Sequence, residues 1–116
     1  MGTRCLTRIL DEEDREIVTI YRQFDGYPSG HGAELKRFCK RMRIVCGIRD
    51  REAKNQANGP GCFAAQLVTS LKRRNRVGNI YLYRPGTKDV GEEYIYTIHC
   101  PDEGFATIEV EETISE

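Results

Sequence analysis

The chain has no long apolar run: nothing in it approaches the roughly 18 consecutive apolar residues that a membrane-spanning helix needs. It has no C-x-x-C pair either, and its five cysteines, Cys5, Cys39, Cys46, Cys62 and Cys100, are an odd number. A disulfide framework would show an even set, and a structural zinc site would show close ligand pairs, so reduced thiols serving as small apolar side chains are expected. The opening Met1-Gly2-Thr3-Arg4-Cys5 leads into no apolar signal region, and Leu6 stands where a myristoylation site carries Ser or Thr. A cytoplasmic protein with no cofactor and no metal is the expectation. No internal repeat and no low-complexity segment is present.

The chain also lacks net charge, but its charges are sorted along it. Residues 1–32 carry net −2, residues 33–76 net +9 and residues 77–116 net −7. A basic middle and an acidic end suit a nucleic-acid surface, or two faces that pair within the monomer or across a symmetric dimer. The cations are spread around one helix and the end of another, with no DNA- or RNA-reading motif. Nucleic-acid binding is therefore expected to be weak at most, and salt-sensitive.

With 116 residues, 39% of them hydrophobic and 31% charged, the composition is that of one globular domain, residues 1–116. Cys5 to Leu10 and Ile17 to Tyr21 are rich in β-formers around the acidic tract Asp11 to Asp14, which predicts an N-terminal hairpin with Arg22 at the end of its buried face. Leu35, Phe38, Cys39 and Met42 recur at helical spacing. Asn58-Gly59-Pro60 opens a second helix whose apolar side is Phe63, Ala64, Leu67, Val68 and Leu71, with Ala64 and Ala65 small enough for close approach to a sheet. Three strands follow at 79–84, 94–99 and 105–111, joined by short turns that favour an antiparallel meander. The polar segment 48–58 reads as a loop or a loose helical turn. The predicted fold is α+β, a two-layer sandwich in which one largely antiparallel five-stranded sheet carries two helices on one face, in the order β-β-α-α-β-β-β. Tyr81, Tyr83, Tyr94 and Tyr96 would then share one aromatic patch.

Between the hairpin and the first helix lies the densest polar stretch, Tyr21-Arg22-Gln23-Phe24-Asp25-Gly26-Tyr27-Pro28-Ser29-Gly30-His31-Gly32. Its glycines and proline shape a turn that ends at a helix start, where free N–H groups favour an anion. Arg22, Asp25, Tyr27, Ser29 and His31 are the candidate ligand-binding residues, with Arg22 and Asp25 expected in one polar cluster. The same residues also suffice to cap the helix and turn the chain, with Asp25 holding Arg22. A ligand-binding or protein-interaction module, a homodimer taking a small anionic ligand at this loop, is the leading reading.

Met1-Gly2-Thr3-Arg4, the loop Tyr21 to Gly30, and Gly61-Cys62-Phe63-Ala64-Ala65-Gln66-Leu67-Val68 resemble a family of small uncharacterised proteins of bacteria, phages and mobile elements. The resemblance implies a prokaryotic or viral cytoplasmic setting and no particular chemistry. Locally, Lys54 to Ala64 is similar to the nucleophile segment of papain-like cysteine proteases, where a Gln six residues before the Cys helps form the oxyanion hole. That likeness implies a thiol hydrolase with Cys62 as nucleophile, Gln56 as oxyanion donor and His99 or His31 as base, although Phe63 stands where those enzymes usually carry Trp.

Overall fold

A computed structural model describes residues 2–113. Its first two strands, β1 (Cys5–Leu10) and β2 (Glu16–Arg22), form the expected antiparallel hairpin, with Cys5 opposite Arg22 and Ile9 opposite Val18. The acidic tract between them makes a specific turn. The Asp11 carboxylate accepts from the amides of Glu13 and Arg15, both at 2.9 Å, and the Arg15 amide bond above all holds its pKa below the usual carboxylate value.

A π-helical turn at Pro28–Gly32 runs directly into helix α1 (Ala33–Arg41), and helix α2 (Gly59–Lys72) follows after two short strands, β3 (Arg43–Val45) and β4 (Gln56–Asn58). Leu35, Phe38, Cys39 and Met42 are buried, as are Phe63, Ala64, Leu67 and Leu71, so both apolar stripes face the core. Ala65 is exposed instead of lying against the sheet. Asn58 does not cap α2 with its side chain; its Oδ1 accepts from the Gly47 amide at 2.8 Å.

The chain ends in β5 (Ile80–Tyr83), β6 (Tyr94–His99), β7 (Gly104–Phe105) and β8 (Thr107–Glu112). The main sheet has five strands in the order β5-β2-β1-β6-β8, and a second sheet has the order β4-β3-β7. The fold is thus α+β, but the element order is β1-β2-α1-β3-β4-α2-β5-β6-β7-β8 and the main sheet is mixed, because β6 pairs with β1 in parallel. The expected meander does not form. Strands β5 and β6 flank the hairpin on opposite sides, three strand spacings or about 14 Å apart, a gap that the loop 84–93 can cross with ease. That loop is tied to the hairpin by Arg8 donating to the Thr87 carbonyl at 2.9 Å and by the Glu93 amide donating to the Arg4 carbonyl at 2.8 Å.

As the central strand, β1 is buried on both faces, which is why Cys5, Leu6 and Thr7 are all inaccessible in a row. Cys5, Ile9, Ile20, Ile80, Tyr96 and Ile98 line its helix side and share one hydrophobic cluster with the two helices. The short strands of the second sheet escape sequence reading because three residues carry too little pattern, although Ile44 and Ala57 are buried in that same cluster. The last predicted strand is split at Ala106: Phe105, with Gly104 before it at φ 113°, joins the second sheet, and Thr107 onward stays in the main sheet. The tyrosines also regroup. Tyr81 and Tyr83 cluster with Tyr21 at ring distances of 5.8 and 5.6 Å, while Tyr94 and Tyr96 lie together elsewhere, on β6.

Candidate functional site

The loop between β2 and α1 is built on a buried polar relay. Arg22 ends β2 on the helix side of the sheet and is only 6% exposed, so its guanidinium must find partners inside the protein. Its Nε donates to the Phe24 carbonyl at 2.6 Å, and one terminal nitrogen forms an ion pair with Glu34 in the first turn of α1. The same nitrogen lies 3.2 Å from His31 Nδ1. Arginine can only donate, so Nδ1 accepts and the ring proton sits on Nε2, which donates to Thr7 Oγ1 at 2.7 Å. Burial first, and the Arg22 charge second, push the His31 pKa down to about 3, so the ring stays neutral with its tautomer fixed.

Tyr96 closes the cluster from β6. Its ring meets His31 edge-on at 5.1 Å, and its hydroxyl donates to the Gly26 carbonyl at 2.7 Å. Desolvation raises the Tyr96 pKa and pushes the Cys5 thiol up to about 12. Gly26 itself donates to the Thr3 carbonyl at 2.8 Å, and a Cβ at this position would sit 2.8 Å from that same oxygen and from Cys5 Cβ. Asn79 Oδ1 accepts from the amides of Gln23 at 3.1 Å and Phe24 at 2.8 Å. The loop is therefore clamped from the N-terminal segment, from β6 and from the entry to β5.

Sequence reasoning named Arg22 and His31, and the structure brings these two together. It does not pair Arg22 with Asp25. Asp25 takes the left-handed conformation at φ 63°, its carboxylate accepts from the Tyr27 hydroxyl at 3.2 Å, and the carboxylate that Arg22 meets is Glu34. Asp25, Tyr27 and Ser29 stand on the exposed side of the loop. The amides expected to hold an anion are already in use: Gly30 donates to the Tyr27 carbonyl at 2.9 Å, and His31 to the Asp25 carbonyl at 3.0 Å. Thr7, Glu34 and Tyr96 were missed. Thr7 gave a signal, since a hydroxyl in the middle of an apolar strand needs a partner.

Of the thiol-hydrolase candidates, Cys62 and Gln56 share one cavity away from this cluster, and neither histidine lines it. Cys62, on the first turn of α2, is half-buried and accepts from Gln66 Nε2 at 3.4 Å, while the same nitrogen donates to the Gln56 carbonyl at 2.8 Å. They line a cavity of about 330 Å³ together with Arg49, Asp50 and Arg51. His31 is spent on Thr7 and Arg22. His99, at the end of β6, has Nδ1 3.5 Å from Asp14 and Nε2 3.6 Å from Glu109. Among the described residues no hydrogen bond joins Cys62 to a histidine, so the structure does not assemble the nucleophile–base pair of a thiol hydrolase. The charge segregation is not neutralised internally either: among the described residues, none of the lysines and arginines of 33–76 forms an ion pair. No helix among the described residues is long and apolar enough to cross a membrane.

Comparison with known protein families, with curated proteins and with solved structures found no match for this chain.

Proposed function

We propose that this chain is a protein-interaction module that self-associates through the exposed face of the loop 24–29. One observation carries the reading. Phe24 and Tyr27 are 46% and 39% exposed on a segment whose backbone is hydrogen-bonded to the N-terminal segment, to β6 and to Asn79. Aromatic side chains on a rigid support make good contact anchors, because little conformational freedom is lost when they are covered. Arg22 and His31 act here as supports, Phe24 and Tyr27 as the anchors, and Asp25 and Ser29 as the polar rim.

Sedimentation equilibrium across a concentration series tests this. The wild-type chain should dimerise, and Phe24→Ala with Tyr27→Ala should weaken the dimer at least tenfold while leaving the circular dichroism spectrum unchanged. A chain that stays monomeric throughout, or a dimer indifferent to both substitutions, would refute it. The unpaired cations of 33–76 favour a second reading, weak nucleic-acid binding driven by phosphate contacts, whose affinity for a duplex must fall steeply between about 50 and 200 mM salt.

A further inference from the structure

The edge of the main sheet formed by β8 lies beside a groove that the loop reading does not use. Thr113 donates to the Glu93 carbonyl at 2.9 Å, which fixes the phase of the β6–β8 ladder. Alternate residues of an antiparallel strand turn their backbone groups to opposite sides, so Ile108, Val110 and Glu112 direct N–H and C=O away from β6, toward the free edge. The opposite edge is less open. There the outward-facing Ile80 has its amide bonded to the Gly78 carbonyl at 2.7 Å and its carbonyl held by Lys72 Nζ at 3.2 Å.

On the helix side of β8, α1 packs alongside, and Cys39, Phe105, Ala106 and Ile108 line an apolar groove rimmed by Lys36 and Lys40. Phe105 and Val110 are about half exposed, at 49% and 50%. Neither lysine has an ion-pair partner among the described residues. On the other side of the sheet, Glu109 and Glu111 present carboxylates. The groove side of the edge thus carries Lys36 and Lys40, with Glu112 toward its far end, and the opposite side carries only anions, Glu109 and Glu111.

We infer that this edge docks an extended segment of a partner protein as an added strand, with apolar and acidic side chains alternating into the groove and basic side chains on the opposite side. Main-chain bonds to Ile108, Val110 and Glu112 supply the pairing, and the two-sided charge pattern sets which face of the segment turns inward. Side chains two apart on a strand are about 6.8 Å apart, close to the roughly 6 Å rise of one helical turn between Lys36 and Lys40. A single inward carboxylate therefore has a lysine within reach from either of two registers, whereas a slip of one residue would turn both the apolar and the acidic side chains outward.

Two capped octapeptides of identical composition test this against the full chain by amide chemical-shift titration. One reads Val-Thr-Asp-Lys-Val-Thr-Asp-Lys and places Val and Asp on one face; the other exchanges every Asp with its neighbouring Lys. The first should shift the amides of residues 108, 110 and 112 and of 36–40 and bind at least tenfold tighter than the second. Lys36→Glu with Lys40→Glu should abolish that preference, because both sides of the edge are then acidic. Val110→Pro, which removes an outward amide without breaking a bond to β6, should weaken both. Equal affinity for the two peptides, shifts confined to other residues, or no shift at millimolar peptide would overturn the inference. So would concentration-dependent shifts at 108–112 without peptide, which would mean that a second copy covers the edge. Because Phe24→Ala with Tyr27→Ala leaves this edge intact, peptide binding by that variant separates the groove from the loop interface.

Discussion

Acidification should destabilise this protein through one buried ring. The His31 pKa is pushed to about 3 from an ordinary 6.5, so the folded state refuses a proton that the unfolded state accepts. Above pH 6.5 both states are neutral and the full stability is present. Below it, stability falls by about 1.4 kcal/mol per pH unit until the folded ring itself protonates near pH 3. Between pH 7.5 and 4.5 that amounts to about 2–3 kcal/mol, a large share of the 5–15 kcal/mol typical of a domain. His31→Gln is the control, because its amide can donate toward Thr7 and accept from Arg22 but does not titrate. Urea denaturation at the two pH values should find wild type ahead of the variant at pH 7.5, with the gap narrowed by about 2–3 kcal/mol at pH 4.5. His99 and the carboxylates are common to both proteins and cancel in the comparison. A gap that stays the same at both pH values would show that His31 is not held neutral by burial and by Arg22, and the relay as described would be wrong.

Glu34→Ala strips the buried Arg22 of its carboxylate and should cost about 1–3 kcal/mol, less than for a fully buried pair because the Glu34 side chain is 37% exposed. Glu34→Gln should recover part of that loss, as read from urea midpoints at unchanged slope. Gly26→Ala puts a methyl group 2.8 Å from the Thr3 carbonyl, and a loss of about 1–3 kcal/mol is expected by thermal unfolding. Iodoacetamide at neutral pH, followed by peptide mapping, should modify Cys46 first and Cys62 next. Cys5, Cys39 and Cys100 should come last, since they are buried with thiols pushed up to about 12. His99→Ala should leave the Cys62 rate unchanged; a sharp drop would restore the thiol-hydrolase reading.

Local pattern determined the elements whose information is local. The hairpin followed from two β-rich runs around a carboxylate turn, and both helices followed from their apolar periodicity, because burial of one stripe is written into residue spacing. The placing of Arg22 at the buried end of β2 was legible for the same reason, since alternation along the strand assigns its face. Pairing across the sheet was not. The parallel insertion of β6 beside β1 and the carrying of β5 to the far edge depend on how the loop 84–93 crosses the hairpin, which leaves no periodic signal. The choice of Glu34 over Asp25 as the partner of Arg22 was likewise tertiary: sequence distance favours Asp25, but its left-handed backbone turns that carboxylate to Tyr27 while α1 brings Glu34 to the guanidinium. The groove beside β8 exists only because α1, β7 and β8, far apart or split in the chain, converge there. Periodicity reports which face of an element is buried, and only packing decides what that face meets.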